Sequence, residues 1–458
     1  MKLCIMFIIM YFQAALSYNR KSSELFAKIR HRPHAVFLQS AARSAGRYDI
    51  ISAEPTLLVT ATAEKTWCIR DNIQASISND PLEFLITQLP ATLPPSPYPF
   101  IGGILGYWSY DWGIALHPIK RRIFSHHALP LLHLGLYDWA IIVDHETQTT
   151  TYVSYNLDKD HLSFLDELLS TTIPIKETIF QLQCNWQSTI DYHEYEQQFL
   201  RIQEHLHAGD CYQVNFSQRF FAEYSGDPWQ AYMRLMESCS AAFCAYLNCG
   251  NHHILSLSPE RLLKVYSDKN VEAKPIKGTR ARGKTTEEDQ QLALELQLST
   301  KDRAENVMIV DMLRNDLGRL CVSGSVTVPY LCALESYHNV HHLVSTIQGK
   351  LPENCHPFHL LKSIFPGASI TGAPKKRVIE IIESLETHQR HIYCGSIGYY
   401  SVDGQFDSNI CIRTALCYDG HIEIAGGGGI VLDSDAAEEY AEIQSKIAAM
   451  LQILAGCV

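Results

Sequence analysis

The sequence predicts an α+β protein. Short strand-like runs crowd the first 180 residues, long helical patterns enter only afterwards, and strands recur among those helices without the strict βαβ alternation of a parallel sheet. In chain order, "HAVFLQS", "TLLVTATA", "WAIIVDH" and "TTYVSYN" are short, rich in β-branched and aromatic residues, and read as strands. The Pro-rich "LPATLPPSPYPF" (Leu89 to Phe100) breaks them as a loop. "TTIPIKETIFQLQCNWQSTI" reads as a connector, dividing an N-terminal unit over residues 1–180 from a second unit over 186–458. Beyond it, "DYHEYEQQFLRIQEHLHAG", "TTEEDQQLALELQLSTKDRAENVMIVDMLRNDLGRL" and "AAEEYAEIQSKIAAMLQIL" each read as one long helix. "ILSLSPERLLKVY", "CGSIGYYSV", "SNICIRTALCY" and "HIEIAGGGGIVL" supply strands between them.

Composition narrows the function. A chain of 458 residues, 46% apolar and 19% charged, is long enough for two or three globular domains. With 49 acidic against 38 basic residues it carries a net charge of -11, which argues against general affinity for nucleic acid or an anionic membrane. The 14 cysteines show no CxxC pair or zinc-ligand spacing and read as small buried apolar residues of a reducing compartment. The N-terminal "MKLCIMFIIMYFQAALSYNRK" reads either as a cleavable signal segment or as a buried first strand. No later segment reaches the roughly 20 apolar residues of a membrane span.

"KPIKGTRARGKTTEED" contains Gly278, Gly283, Lys284 and Thr285 in the spacing of a phosphate-binding P-loop, so an NTPase is the rival of a different class. A P-loop follows a buried parallel strand, and "NVEAKPIK" is too charged and too close to Pro275 for one. The acid of "VMIVD" continues into "MLRNDLGRL", where Val310, Leu313, Leu317 and Leu320 recur at helical spacing. A metal-binding aspartate at a strand end does not belong there.

Other residues suggest different chemistry. Asp302 with Glu305, and Glu439 with Glu442, are spaced to share a helical face; two such faces meeting would suit Mg²⁺, while either alone is a solvated acidic face. "AGGGGI" is either a flexible turn or a backbone cradle for an anion. Arg413 interrupts an apolar run and, if buried, needs an anionic partner, a ligand or a structural acid. "FPGASITGAPKKR" places small and hydroxyl residues before a helix start, where backbone can hold a carboxylate. Lys277 has little room for solvent if its strand is internal, and desolvation would leave it a neutral nucleophile. Glu260, on the preceding strand, could supply a proton; an ordinary salt bridge between the two is the alternative.

In this order, "GDCYQVNFSQRF", "LSLSPERL", "KPIKGTRARG", "STKDRAENVMIVDMLRNDLGR", "HHLVSTIQGKL", "FPGASITGAPKKR", "CGSIGYYS", "ICIRTAL" and "AGGGGIVLDSDAAEEYAE" resemble the chorismate-utilising enzyme family across about residues 190 to 455. "FLQSAARSAGRYDIISAEP" and "PFIGGILGYWSYD" look like the accessory half of its glutamine-linked members. The resemblance implies a large two-layered β-sheet core flanked by helices, of the anthranilate synthase component I type. Anthranilate synthase large subunits typically carry "PIAGT" where this chain has "PIKGT", and isochorismate and salicylate synthases place a lysine where this chain has Gln213. Together these two positions resemble the members that aminate ring carbon 4 of chorismate; the anthranilate reaction, at carbon 2 with loss of pyruvate, is the alternative.

By resemblance, Lys277 is the nucleophile and Glu260 the acid. Glu305 and Glu442 hold Mg²⁺, with Asp302 and Glu439 as further or outer partners. Gln213, Thr279, Ser369, Tyr393, Arg413, Lys446 and the N–H groups of Gly427 and Gly429 line or orient the substrate, and His342 lies in the site with its role open. A separate glutamine amidotransferase subunit would supply ammonia, in the cytoplasm, with no membrane or nucleic acid involved. Some members bind tryptophan near the positions of Ser40 and Tyr48; the alanines in "CSAAFCAYL", where the family often has a proline, weigh against it here.

Overall fold

Period-two alternation builds the core. In β1 (Val36–Gln39) the side chain of Val36 joins one buried cluster and that of Phe37 another. The computed structural model describes residues 11–40, 46–119, 129–170, 178–238, 241–337 and 340–456. The apolar run before residue 11 and Cys239 therefore lie outside the described residues. Among those described, one sheet has thirteen strands and the other twelve. Val36, Ile142, Leu247 and Leu416 of the first sheet pack on Leu105, Tyr107 and Ile397 of the second, and helices cover both outer faces. The class is α+β, with the two-layered sheet core the resemblance implies.

The two halves of the chain meet inside the sheets. β2 (Gly103–Trp108) opens the shared part of the second sheet; β3 (Gln213–Ser225) begins the second half of the chain in the first. β4 (Phe243–Asn248) pairs antiparallel with β1, Cys244 opposite Gln39, and with β5 (His252–Ser258), Cys244 opposite Leu257. The chain then crosses to the second sheet for β6 (Arg261–Val265) and β7 (Ile276–Ala281).

Two helices follow where the sequence reads as one. Thr285 caps α1 (Thr286–Leu298) by accepting from the Glu288 N–H at 3.2 Å; Ser299 ends it and caps α2 (Thr300–Gly318) by accepting from the Asp302 N–H at 3.2 Å. A serine hydroxyl competing for helical N–H groups breaks the expected long helix and redirects the second piece. Ile309, Val310, Leu313 and Leu317 bury one face of α2 on the second sheet. β8 (Val340–Lys350) and β9 (Ser396–Ser401) complete the second sheet, β9 pairing with β2 at Gly398 opposite Gly106, while α3 (Lys375–Leu385) packs on β3 of the first. β10 (Thr414–Tyr418) and β11 (His421–Ile430) return to the first sheet, and α4 (Ala436–Ala455), capped by Asp435, lies over β11.

Candidate active site

The site forms where the chain changes sheets. Between β5 and β6, the Ser258 hydroxyl donates to the Ile410 carbonyl (2.5 Å) and accepts from the Glu260 N–H (3.2 Å), while the Ile410 N–H donates to the Glu260 carbonyl (3.0 Å). The crossover is thus pinned on both sides of Glu260, which is 7% exposed. Burial pushes the Glu260 carboxyl up to about 7, against the opposing pull of Lys277 and of the Ser369 hydroxyl, which donates to Oε1 at 3.0 Å. A carboxyl poised there can donate a proton at neutral pH.

Lys277 sits on an edge strand, so the condition the sequence reading set for its exclusion from solvent, an internal strand, is not met. β7 pairs with β8 alone among the described residues, and its far side is covered by α1 and α2, so Lys277 is half-buried. Ile276 stands opposite Val344 and Thr279 opposite His342, which leaves Lys277 and Gly278 as a bulge facing one residue. Gly278 has φ +82, and a Cβ there would come within 2.9 Å of Asp302 Cγ. Glycine therefore permits both the turn that re-aims Lys277 and the close approach of α2. The charge of Lys277 acts on Glu260, Glu305 and Glu442 alike.

The acidic faces of α2 and α4 act on each other electrostatically. Burial raises the Glu305 carboxyl, Lys277 and Lys301 oppose, and Asp302 and Glu442 push it further up. Burial likewise raises Glu439, countered by the Ser434 hydroxyl donating at 2.7 Å. Glu442 goes the other way: burial pushes it up, but Lys446 at 2.6 Å, Lys301 and Lys277 prevail. Asp302 accepts from Arg280 at 3.3 Å. Mutually repelling, partly desolvated carboxylates on α2 and α4 are the donor chemistry that suits Mg²⁺. Among the described residues no three acid, His or Cys side chains could enclose an ion unaided, so a cation would draw its other ligands from water and substrate.

The glycine run lies inside β11, in extended pairing with β3, rather than in a turn. Its two faces do different work. A Cβ on Gly426 would meet Ile447 at 3.1 Å and one on Gly428 would meet Glu439 Oε2 at 2.9 Å, so the bare strand lets α4 settle close enough to deliver its glutamates. On the other face a Cβ at Gly427 would meet Tyr393 Oη and Asn215 Oδ1, each at 2.8 Å, and one at Gly429 would run into the Gln213 amide. Gln213 is fully buried, and neither amide atom has a protein partner among the described residues. β10 pairs with β11 only as far as Ile424, so beyond it the second edge of the glycine strand stays clear of β10. Lys446 donates to the Gly427 carbonyl at 3.1 Å.

A cavity of about 620 Å³ has Thr279, His342, Arg413 and Lys446 in its wall, with Pro259 and Ile276, the neighbours of Glu260 and Lys277. Thr279 Oγ1 and His342 Nδ1 share a hydrogen bond at 2.9 Å. Burial, reinforced by Arg413, lowers the His342 imidazole to about 4, so it is neutral at pH 7. Arg413 is exposed, in the left-handed region at φ 50 just before β10, rather than inside a strand as the sequence reading has it. The turn swings the guanidinium out of the sheet toward the cavity, which removes the need for a buried counter-ion.

Ser40 and Tyr48 stand apart, in the wall of a second cavity of about 400 Å³ that Ala242 also lines. The P-loop geometry is absent. β7 is antiparallel, the Gly283 N–H donates to Asp289 (2.8 Å) and the Lys284 N–H to Glu288 (2.7 Å), so acids of α1 fill the place a phosphate would need. Sequence reasoning alone does not single out Asn215 or Lys301. Asn215 had a signal, lying two residues from Gln213 and so on the same face of β3. Lys301 had none, because an exposed helical lysine gains meaning only from the glutamates of α4.

The family model described as "chorismate binding enzyme" matches residues 34–452. Aminodeoxychorismate synthase component 1 of Salmonella typhimurium is 44% identical over 436 residues, 94% of this chain and 95% of that protein. Anthranilate synthase component 1 of Acetivibrio thermocellus is 34% identical, over 89% of this chain and 87% of that one. Among solved structures, anthranilate synthase component I from Streptococcus pneumoniae TIGR4 superposes with a TM-score of 0.79 at 28% identity, covering 89% of this chain and 92% of that one.

Proposed function

The chain belongs to the chorismate binding enzyme family, and from that premise we propose that it acts as an aminodeoxychorismate synthase component 1, converting chorismate and ammonia to 4-amino-4-deoxychorismate on the way to para-aminobenzoate and folate. What carries the reading is the buried Glu260 carboxyl, raised to about 7 and within the electrostatic reach of Lys277, beside a cavity that their neighbours Pro259 and Ile276 line, in a chain 44% identical to a relative of that name. The word component implies a second subunit; a glutamine amidotransferase delivering ammonia is the partner this chemistry requires.

In the proposed sequence, the Lys277 amine, after giving up its proton, attacks ring carbon 2, the two ring double bonds shift, and the carbon-4 hydroxyl leaves as water with the Glu260 proton. Ammonia then attacks carbon 4, the double bonds shift back, and the lysine amine departs from carbon 2. Two allylic displacements replace one difficult direct substitution. Arg413 and Lys446 offer cationic partners to the substrate's carboxylates, and Tyr393, Asn215 and Gln213 present polar groups beside the bare face of β11. Mg²⁺ held by Glu305 and Glu442 would neutralise the ring carboxylate, which otherwise faces four acids. Thr279 and the neutral His342 bind without adding charge.

The test is Lys277→Ala with chorismate and ammonium, products identified by mass. The wild type should give an amine that retains the pyruvyl ether, and the variant should lose roughly a hundredfold or more in turnover. Wild-type-like turnover would remove the covalent step, and pyruvate release with a fluorescent aromatic product would replace the reading with the anthranilate reaction.

A further inference from the structure

Residues 386–395, between α3 and β9, hold an ion pair that the proposed chemistry does not use. Glu386 and Arg390 have side chains 1% exposed and meet at 2.7 Å, with a second contact from Arg390 Nε to Glu386 Oε2 at 2.9 Å. Burying two charges costs more than their attraction returns unless the remaining donors and acceptors are also satisfied. Here they are spent on the site's own framework. Arg390 Nη2 donates to the Asn215 carbonyl (2.6 Å) and Nη1 to the Ile370 carbonyl (3.1 Å). The Asn215 amide donates to the same Ile370 carbonyl at 2.9 Å. Glu386 accepts from the Ser217 N–H (2.9 Å) and hydroxyl (2.7 Å). The guanidinium lies over the rings of Tyr110 and Tyr393, 4.6 and 5.9 Å from their centroids.

These anchor points adjoin groups that face the substrate. Ile370 follows Ser369, whose hydroxyl holds Glu260; Asn215 shares a strand face with Gln213; Tyr393 and Asn215 flank Gly427. A planar guanidinium presents donors in a fixed fork, so one cation sets the relative placement of segments more than 150 residues apart in the chain, as the Arg390 to Asn215 separation of 175 shows. We propose that Arg390, oriented by Glu386, is the positioning residue that fixes the Ser369 turn, the first residues of β3 and Tyr393 as one rigid cradle for the substrate. It touches no reacting atom.

The inference rests on the chorismate reading for its assay, and Arg390→Lys and Glu386→Gln test it. Lysine keeps the charge but cannot span two carbonyls and a carboxylate; glutamine keeps the shape and an acceptor for Ser217. With wild type measured alongside, Arg390→Lys should lose roughly tenfold to a hundredfold in kcat/KM, and Glu386→Gln less, with native circular dichroism in both. Combining Arg390→Lys with Ser369→Ala should add no more than about threefold to the loss from Arg390→Lys, because the serine is already misplaced; independent residues would multiply their losses. Multiplicative losses, or unchanged kinetics in the folded single variants, overturn the inference. Should Arg390→Lys fail to fold, the cycle of Glu386→Gln with Ser369→Ala decides by the same criterion. If the wild type binds chorismate without aminating it, the proposed function fails alone, and the same cycle is read in chorismate dissociation constants. A wild type that neither binds nor converts chorismate overturns both.

Discussion

At the scale of single residues, Glu260 carries a cost that is also its use. Its carboxyl, at 4.5 when unfolded and about 7 when folded, is held in the form that can donate a proton at neutral pH. A raised folded pKa means that the native state is fully stabilised below pH 4.5 and loses that contribution as pH rises through about 7. Glu260→Gln removes the titration. The variant should therefore gain on the wild type between pH 5 and pH 8 by something on the order of 3 kcal/mol in urea unfolding, while losing activity. A stability difference that stays constant over that range would show that the carboxyl is not desolvated as described. The identity of this acid was legible in "LSLSPER" as a candidate, but its pinning by Ile410, 150 residues later, was not. Arg413 is the converse case: its apolar context left burial open, and a single left-handed residue turns the side chain toward the cavity.

Among the elements, the glycine strand β11 decides how close α4 and the substrate come. Glycine costs strand stability through entropy, so four in succession need a packing reason, and the alternating contacts of residues 426–429 supply one. Gly427→Ala would seat a methyl 2.8 Å from Tyr393 Oη, Asn215 Oδ1 and the Phe216 carbonyl oxygen, and since the backbone oxygen cannot give way cheaply the variant should lower the unfolding midpoint as well as raise the chorismate KM by roughly tenfold. An unchanged KM would mean that the face of β11 carrying Gly427 does not contact substrate. The run was visible in the sequence, yet turn and cradle were equally open, because only the pairing with β3 makes it a strand. The break at Ser299 was more accessible. "STKD" is a serine followed three residues on by an acid, a helix-start signal that the surrounding helical periodicity outweighs in a linear reading.

For the molecule as a whole, the alternation of short apolar runs discloses sheets but not which strands pair. β1 with β4 and β2 with β9 join residues separated by two hundred positions or more, a register set by the inter-sheet core rather than by local pattern. The same core imposes a pH response. Burial drives the imidazoles of His252 and His356 down to about 3 and those of His342 and His388 to about 4, and lowers His133 strongly. Each is neutral in the native state, whereas the unfolded chain takes up a proton below about 6.5. Stability from this source is complete above pH 6.5 and is lost as pH falls toward 4, at roughly 1.4 kcal/mol per pH unit for each imidazole. The raised carboxyls of Glu260, Glu305 and Glu439 offset part of it, since they gain stability over the same descent. Five depressed imidazoles outweigh three raised acids, so the urea midpoint should drop between pH 7 and pH 5.5. His388 isolates the cause: it is 5% exposed, and neither ring nitrogen has a protein partner among the described residues. His388→Leu thus sacrifices no hydrogen bond and should be less sensitive to acid than the wild type, by about 1.4 kcal/mol over that interval. Parallel pH dependences for the two proteins would place the acid sensitivity elsewhere in the fold.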